Sequence, residues 1–582
     1  MVNKVILSPL LQRLFIIVFG LLLYCICIFH TPMTEMDEAR FATATYNMVE
    51  SGDYVVPTFN GEPRYQKPIL YYWFQAAAIK VFGKTEWASR IPSGVFAILF
   101  VLSIHTFLLY WLPKVHGMTL DRANKISLIS ILALMPTPYL MIWTHYATTD
   151  ILLSLNTGLS LLCILHLILI YKQSDIIGDE VKRGTRYLWY SLAIIFAALA
   201  FLTKGPIGIA IPVIVWLGYY LYSKELLAEI KRVPWWLLIP LFLLIISPWY
   251  IAAYITTNGD FIQRFFGAEN FGRFIQTQEG HGFAIPVIGF ILTMIPLNLM
   301  LAIPLTPFVV SEMINPFHGQ KVDNILHAIR RFACVMIVLV FAIFAFSKTQ
   351  LPSYTHSVVL AVGLLFAVFM TTYNRSENET TKQTRVAVIF EKILLIALTV
   401  IFCGGVIILI SIGGFEDKYF PVMANMETKI ILLIVMSIST AYCVLSIVYY
   451  FIKSKKTKFM ANYLAAFTVF SICLILVIYP FMVRIIFTSP AFVGKEIRAL
   501  TMNDKNLPVY DLSKRPSEAV IYYSETVINL GFKDIKEEVI KELEGEGKAL
   551  VILRYSDDHS MVEDGKLLYD KYGMQIYEVT HE

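Results

Sequence analysis

Long apolar segments fill most of the first 490 residues and constrain the fold more than any other feature. A helix needs about 20 mainly apolar residues to cross a bilayer. About 13 segments reach or approach that length, and they are Leu11–Phe29, Ala88–Trp111, Ile126–Trp143, Ile151–Tyr171, Leu188–Leu202, Pro206–Tyr222, Trp235–Tyr254, Ile285–Val310, Phe332–Phe346, Val358–Thr372, Val388–Ile412, Ile430–Phe451 and Tyr463–Ile486. The sequence therefore predicts an all-α polytopic membrane protein with about 13 transmembrane helices.

Clusters of lysine and arginine alternate with less basic loops between these segments. The clusters are Lys4/Arg13, Lys114/Arg122/Lys125, Lys172/Lys182/Arg183/Arg186, Lys224/Lys231/Arg232, Lys321/Arg330/Arg331, Arg375/Lys382/Arg385 and Lys453/Lys455/Lys456/Lys458. Because loops rich in Lys and Arg stay in the cytoplasm, we expect the chain to begin inside and to end outside. The loops at 30–87 and 257–283 and the turn Lys348–Tyr354 would then share the outer face.

Composition agrees with the membrane class and excludes others. Hydrophobic residues make up 57% of the 582 residues and charged residues 16%, which a soluble domain does not have. Cytoplasmic loops account for the net charge of +5, so we expect no nucleic-acid partner. The seven cysteines lie in or beside apolar segments, which excludes a disulfide framework and a thiolate zinc site. We expect a monomer.

Three regions follow from these patterns. Residues 1–360 carry the large outer loops and most of the polar side chains, and residues 361–489 carry further apolar segments with short connections. From 490 to 582 the charge rises, and we expect a small α+β domain of about 90 residues. Its predicted strands are Leu507–Leu512, Ala519–Tyr523, Ala549–Arg554 and Gln575–Val579, with an amphipathic helix at Asp534–Glu544.

The first outer loop opens with closely spaced charges. Thr34-Glu-Met-Asp-Glu-Ala-Arg40 predicts the start of a helix that ends near Ser51-Gly52. Thr34 is a good helix cap, and Glu38 stabilises a first helical turn. Capping does not account for Asp37 and Arg40, which are three residues apart and so lie on the same face of the helix. These side chains are therefore candidates for chemistry at the membrane surface.

Lys67 follows in the same loop and precedes a proline, so its backbone should be extended. The apolar, aromatic segment Ile69–Phe82 is too short to cross a bilayer and is typical of a helix lying in the interface. Lys67 either extends toward lipid headgroups or offers a point charge to one phosphate. The residues alone leave both readings open.

These loops resemble the protein mannosyltransferase-like glycosyltransferases of the GT-C fold. Within that superfamily the chain most resembles the bacterial 4-amino-4-deoxy-L-arabinose lipid A transferases. The matching residues run in order over about 10–360: Asp37-Glu-Ala-Arg40, Ser51-Gly-Asp-Tyr54, Pro57, Asn60-Gly61, Lys67-Pro68, Glu86, Arg90, Leu202-Thr-Lys-Gly-Pro206, Pro248-Trp-Tyr250, Phe265-Phe266, Glu269-Asn-Phe-Gly-Arg-Phe274 and Ser347-Lys-Thr-Gln-Leu-Pro-Ser-Tyr354. Beyond residue 360 only the layout agrees.

The resemblance implies an enzyme of the bacterial inner membrane with its active site and C-terminal domain in the periplasm. It would move a sugar, presumed an amino sugar, from a polyprenyl-phosphate donor to lipid A or a related envelope acceptor. A protein O-mannosyltransferase-like enzyme acting on Ser or Thr is the main alternative. A lipid-linked sugar transporter is disfavoured, because the apolar segments are nearly free of charge and show no paired halves.

The departures from the family pattern concern a metal site. The resembled enzymes bind a metal through a glutamate before the motif lysine and a histidine after the motif glutamate; here those positions are Gln66 and Asn270. Neutral amides are poor zinc ligands, so we expect no bound metal and no other cofactor, even with His281 nearby. Gln350 similarly replaces a loop lysine, with Lys348 two residues away.

The chemistry of such a transfer then selects the candidate residues. Cations must meet the negative charge that develops on the leaving phosphate, and the candidates are Lys67, Lys204, Arg264, Arg273 and Lys348. Tyr354 could cover the phosphate or be an ordinary interfacial tyrosine. A carboxylate must orient the acceptor or remove its proton. Asp37 is the first candidate for this carboxylate. Asp150 is the second, unless it only caps the following helix. Glu38 and Arg40, next to Asp37 in the sequence, are included among the candidate catalytic residues.

Overall fold

The structure is a computed structural model. It describes residues 8–26, 31–34, 37–177, 180–272, 285–314, 323–372, 479–504, 507–513, 516–530, 548–555 and most of 557–580, with a few single positions between 396 and 441.

Helices make up most of the described chain. They are α1 Pro9–Gly20, α2 Asp37–Ser51, α3 Leu70–Phe82, α4 Glu86–Trp111, α5 Leu120–Leu134, α6 Pro138–Thr144, α7 Asp150–Ile177, α8 Arg183–Lys204, α9 Pro206–Tyr222, α10 Leu226–Arg232, α11 Trp235–Thr256, α12 Asp260–Arg264, α13 Pro286–Gly289, α14 Ile295–Leu301, α15 Thr306–Ile314, α16 Asn324–Ala345, α17 Val359–Thr372, α18 Tyr479–Thr501 and α19 Glu518–Ser524. Wider π-helical turns continue α1 at Leu21–Ile26 and α12 at Phe265–Gly272, a third joins α13 to α14 at Phe290–Met294, and a 3₁₀ turn at Pro352–Val358 leads into α17.

Six of the described helical segments are long and apolar enough to cross a membrane, and the number becomes eight if two bent pairs each count as one span. The bends are 57° between α5 and α6 and 120° between the segments Pro286–Leu301 and Thr306–Ile314. The chain is thus a multi-pass membrane protein. Apart from a few single positions, the predicted segments Val388–Ile412 and Ile430–Phe451 and most of Tyr463–Ile486 lie outside the described residues, so the count of 13 stays a prediction.

Helix α7 lies at the centre of this bundle and supports the site. Its membrane-spanning part is almost entirely buried, and it packs against α4, α8 and α9. Gly158 lets the Phe100 ring approach so closely that a Cβ there would lie 2.5 Å from it. Small residues commonly permit such close helix packing in membranes. The first residue of α7, Asp150, is therefore held on a rigid element.

The first loop is built from α2, a hairpin and α3; the sequence predicts the two helices, and the hairpin was not predicted. Strands β1 (Thr58–Phe59) and β2 (Glu62–Pro63) pair antiparallel. The two residues between them, Asn60 and Gly61, have φ of 54° and 81°, which suits the Asn-Gly turns of tight hairpins. Helix α3 buries one side and exposes Trp73 and Phe74, as an interfacial helix would.

A mixed five-stranded sheet forms the C-terminal part. Its order is β4-β3-β5-β7-β6, with β3 (Val509–Asp511) parallel to β4 (Asn529–Leu530) and β5 (Lys548–Arg554). Strand β7 (Met574–Thr580) runs antiparallel to β5 and to β6 (Lys566–Lys571). The structure agrees with the strands predicted at 507–512, 549–554 and 575–579, whereas the helix predicted at Asp534–Glu544 lies outside the described residues.

One expectation for this region was wrong, and the structure adds detail to another. Ala519–Tyr523, predicted as a strand, lies in helix α19, whose residues are all buried; alternation cannot identify a short segment that is apolar on every side. The domain start predicted at 490 falls inside α18. There the helix passes from the apolar region to the sheet, where Val493 and Ile497 join the sheet's core. The change in composition thus marks a change of surroundings and not the end of a helix.

Candidate active site

Two neighbouring cavities open where α2, α7, α8 and the 347–354 segment meet. The narrow cavity, about 70 Å³, is lined by Lys67, Leu153, Lys204, Ile207, Glu269, Asn270, Phe344, Ser347 and Tyr354. The wide cavity, about 250 Å³, is lined by Asp37, Glu38, Trp143, Tyr146, Thr148, Asp150, Leu351, Pro352 and Ser353. The structure thus brings Lys67, Lys204 and Tyr354 together in one cavity and the predicted carboxylates together in the other.

An ion pair between Lys204 and Asp150 joins the two cavities. Lys204 Nζ lies 2.6 Å from Asp150 Oδ1, and each side chain is only 11% exposed. Thr148 donates a hydrogen bond of 3.1 Å to the other carboxylate oxygen. Lys204 is the last residue of α8 and Asp150 the first of α7, so both charges also suit the dipoles of their helices. Asp150 is therefore more than a helix cap.

The sequence Thr203-Lys204-Gly205-Pro206 ends one helix and starts the next, and this fixes Lys204. Gly205 has φ of 75°, and a Cβ there would lie 2.5 Å from the Phe265 ring. Both constraints require glycine, and a proline is well suited to the first position of the next helix. The Lys204 ammonium also lies 5.2 Å from the centre of the Tyr354 ring.

Asp37 lies at the start of α2 on the wall of the wide cavity. Its side chain is 56% exposed, and Arg64 Nη2 is 3.8 Å from its Oδ1. The guanidinium of Arg64 is itself buried: its Nε donates to Tyr72 Oη at 2.9 Å, and it stacks 4.9 Å from the Phe41 ring. Arg64 is not among the residues predicted from the sequence, although a second cation three residues before Lys67 is a usable signal.

Glu38 is fully buried in a dense network, unlike its neighbour Asp37. Arg90 donates to both carboxylate oxygens at 2.7 and 2.8 Å, Thr34 donates through its backbone and hydroxyl, and the Ala147 amide adds a fifth bond. Burial alone would raise the pKa of Glu38, but the Arg90 charge and these hydrogen bonds outweigh it and lower that pKa. We infer that Glu38 positions the loop, since all its acceptor sites are filled.

Arg40, one turn after Asp37, turns toward the C-terminal part. Its Nη2 lies 2.7 Å from Glu518 Oε1 at the start of α19. Arg40 and Asp37 were predicted to face the same way. In the structure Arg40 instead contacts the C-terminal part, and Asp37 lines the wide cavity.

The turn before Tyr354 is held by Gln350, which stands where the family has a lysine. Its amide donates to the carbonyl oxygens of Pro286 at 2.9 Å and Ser347 at 3.1 Å, and the side chain is buried. Lys348 is exposed and is not among the residues that line the narrow cavity. The structure therefore does not bring the proposed substitute cation to the phosphate candidates.

The residues at the family's metal positions do not fit a zinc ion. Gln66 and Asn270 are neutral amides, and Asn270 donates to the Phe265 carbonyl at 2.6 Å. Among the described residues no three His, Cys, Asp or Glu side chains lie close enough to share a metal. Arg273 and His281 lie outside the described residues, so the expectations about them stay predictions.

Two aromatic side chains, also missed from the sequence, line the wide cavity. Trp143 and Tyr146 pack edge to face with ring centres 6.3 Å apart. The buried indole N–H of Trp143 has no hydrogen-bond partner in the described part of the chain. Aromatic faces next to carboxylates suit a ligand that has both apolar and hydroxyl-bearing surfaces.

Comparison with known proteins adds independent information. Residues 66–251 match the sequence model of the dolichyl-phosphate-mannose-protein mannosyltransferase family. An undecaprenyl phosphate-α-4-amino-4-deoxy-L-arabinose arabinosyl transferase of Aeromonas hydrophila is 28% identical over 263 residues, which are 45% of this chain and 44% of that protein. The protein of the same name from Pseudomonas aeruginosa PAO1 is 26% identical over 60% of this chain and 58% of its own length. The chain thus spans about half the length of the curated relatives it matches.

Solved structures extend the similarity over the whole fold. ArnT from Cupriavidus metallidurans bound to undecaprenyl phosphate matches with a TM-score of 0.71, 17% identity and 98% coverage of both chains. Its apo structure gives a TM-score of 0.70. The resemblance predicted from the loop motifs is therefore confirmed: the chain has a mannosyltransferase-like GT-C fold similar to that of ArnT.

Proposed function

We propose that this protein is a membrane glycosyltransferase. It transfers a sugar, an amino sugar by analogy with the relatives, from a polyprenyl-phosphate donor to lipid A or a related envelope acceptor. The observation that carries the proposal is the convergence of Lys67 and Lys204 on one narrow cavity, directly beside a wide cavity with two aspartates. The names of the curated relatives supply the donor and sugar class.

The narrow cavity is the proposed site for the donor phosphate. Its volume of about 70 Å³ suits a group of a few heavy atoms, since a cavity needs about 10–15 Å³ to hold one water. Two ammonium groups and the Tyr354 hydroxyl would meet the charge that grows on the leaving phosphate. Lys204 can serve this role by exchanging its Asp150 carboxylate for a phosphate oxygen.

The wide cavity is the proposed site for the sugar and the attacking acceptor. In the transfer, an acceptor oxygen forms a bond to the anomeric carbon while the bond from that carbon to the phosphate oxygen breaks. The electron pair of the broken bond stays on the polyprenyl phosphate, and an acceptor that carries a proton releases it to a carboxylate. Asp37 is the proposed base or orienting group, because it is the half-exposed carboxylate on this wall.

The proposed orientation follows the distribution of basic loops. The amino terminus is cytoplasmic, and the cavities and the C-terminal part face the periplasm across the bacterial inner membrane. In the proposed division, residues 1–360 form the catalytic module, 361–489 further membrane helices and 490–582 the periplasmic domain. Accessibility of single introduced cysteines to an impermeant reagent tests the orientation: Ser51→Cys should react from outside, and a cysteine at Lys455 should not.

The activity is tested with purified protein in detergent. Undecaprenyl phosphate-4-amino-4-deoxy-L-arabinose is the donor, lipid A the acceptor, and mass spectrometry detects the modified lipid. Lys67→Ala should abolish transfer while the protein remains folded. Lys80→Ala is the matched control, because Lys80 lies on α3 and stacks on the Tyr54 ring away from the cavity. Absence of transfer by the parent with both aminoarabinosyl and mannosyl donors contradicts the proposal.

A protein acceptor is the second candidate, and the match of residues 66–251 to protein mannosyltransferases favours it. The same assay with a Ser/Thr-rich peptide and a mannosyl donor separates the two. Labelled peptide with unmodified lipid A would select the protein acceptor, and the reverse would select the lipid.

A further inference from the structure

The C-terminal part packs directly on the helix that carries Asp37. Small side chains form much of this contact, so the backbones of α2 and α19 lie close together. One buried cluster holds Met33, Ala39, Ala42, Ala491, Ala519, Tyr522 and Tyr523. The contact is therefore a tightly packed interface between the two ends of the chain.

Polar bonds fix the same interface at two points near the start of α2. Arg40 bonds Glu518 at 2.7 Å, with side-chain exposures of 22% and 12%. The Tyr523 hydroxyl accepts from the Met33 amide at 2.9 Å and donates to Glu86 at 2.8 Å. Shielded bonds of this kind are directional and resist displacement. They tie the entry of the loop, and the first turn of α4, to α19.

The hairpin tip provides a third point. The Asn60 amide donates to the Ile528 carbonyl at 2.8 Å and accepts from the Ile528 amide at 2.9 Å. This reciprocal pair resembles the bonding between neighbouring strands. Lys84, after α3, adds an ion pair to Glu525 at 2.6 Å. The first loop is thus attached to the C-terminal part at its start, at the hairpin tip and after α3.

From these contacts we propose that the C-terminal part is a working component of the active site, which clamps α2 so that Asp37 reaches the wide cavity. Glu38 holds the first turn of α2 to α4 of the membrane bundle through Arg90, and Glu518 holds the same turn to α19 through Arg40. Glu518 and Asn60 are positioning residues. The clamp rests on the proposed function only in the experiments that measure turnover.

Two variants test the clamp. Glu518→Ala removes the bond to Arg40, and Glu518→Gln restores an acceptor. Asn60→Gly removes both bonds to Ile528 yet keeps a residue that tolerates the positive φ of the turn. Glu578→Gln is the control, since its pair with Lys548 at 3.8 Å lies in the sheet away from α2.

Displacement of a catalytic group by about 1 Å can cost on the order of 10²-fold in rate. We expect Glu518→Ala and Asn60→Gly to lower kcat by about 10–10²-fold, with the KM for the donor and the binding of undecaprenyl phosphate unchanged. Glu518→Gln should recover part of kcat. Parental kcat in both variants, or an equal loss of phosphate binding, would overturn the clamp.

Hydrogen–deuterium exchange tests the clamp without any assumption about activity. Exchange of the α2 amides, residues 37–51, should rise in Glu518→Ala and Asn60→Gly and stay at the parental rate in Glu578→Gln. Unchanged exchange of α2 would refute the clamp even in an active enzyme. If the parent transfers no sugar but exchange still rises in Glu518→Ala and Asn60→Gly, the proposed function alone is refuted.

Discussion

Replacing Asp150 by asparagine should tighten the binding of undecaprenyl phosphate. Lys204 Nζ is 2.6 Å from Asp150 Oδ1. A phosphate oxygen bonded to the same ammonium at about 2.8 Å would bring two negative charges to within about 5 Å of each other. With an effective dielectric constant of about 20, their repulsion is about 3 kcal/mol, or roughly 10²-fold in the dissociation constant.

Asp150→Asn removes this repulsion, keeps the size of the side chain and leaves Lys204 free to pair with the phosphate. We expect the dissociation constant for undecaprenyl phosphate to fall by about 10–10²-fold. Turnover should fall as well, because undecaprenyl phosphate is the leaving product of the proposed transfer and tighter binding slows its release. Tryptophan fluorescence or calorimetry on the purified protein measures the affinity, and single-turnover kinetics separate transfer from release.

Two further variants make the test specific. Lys204→Met should weaken binding, opposite in sign to Asp150→Asn. Glu62→Gln changes the net charge by the same amount on the exposed strand β2 and should leave the affinity unchanged. If Asp150→Asn binds undecaprenyl phosphate no more tightly than the parent, Lys204 does not contact the phosphate and the assignment of the narrow cavity fails.

Three other predictions concern the carboxylates and the metal. Asp37→Asn should reduce transfer, by about 10²–10⁴-fold if the acceptor is a hydroxyl that needs a base; with a phosphate acceptor, which we favour, the pH profile of this variant should flatten above the second phosphate pKa near 6. Equal transfer to dephosphorylated lipid A would rule the phosphate out. Glu38→Gln should destabilise the protein at pH 7 by about 3–5 kcal/mol, the usual cost of breaking a buried pair. Because the pKa of Glu38 is lowered by folding, the parent has this stability above the unfolded value of about 4.3 and loses it as the pH falls through the lower folded value. Melting curves in detergent should therefore converge for parent and variant in acid, and a constant gap down to pH 3 would contradict this. Elemental analysis should find no stoichiometric zinc, and zinc that disappears in His281→Ala would make His281 a ligand.

The sequence predicted the features that depend on local patterns. In the described part of the chain, apolar length identified six helices long enough to cross the membrane, but the predicted segments Ile126–Trp143 and Ile285–Val310 each fall on a bent pair of helices. Ser51-Gly52 marked the end of α2, whereas the hairpin at Asn60-Gly61 was not predicted. Lys67, Lys204 and Tyr354 were each selected as candidates from a local motif, and all three line the narrow cavity. Each of these signals lies within a few residues of the feature that it predicts.

Features that depend on distant partners could not be predicted in this way. Nothing near Glu38 reveals that Arg90 and the Ala147 amide fill its acceptor sites, and nothing near Arg40 reveals Glu518. Gln350 looked like a lost cation, but its neighbours are carbonyl oxygens, for which an amide donor is suitable. Alternation could not distinguish a buried helix from a strand at Ala519–Tyr523.

The bond between Arg40 and Glu518 also has a consequence for biosynthesis, because the two residues are synthesised at different times. The two residues are 478 positions apart, and ribosomes add about 5–20 residues per second. Helix α2 therefore waits roughly half a minute to a minute and a half after its own synthesis before its partner exists. During that interval the start of α2 is held only by its bonds to Arg90 and the membrane bundle. A chain that stops early would keep the membrane bundle and the lysines of the narrow cavity but leave α2 without its second support, so incomplete copies would bind the lipid phosphate without efficient turnover.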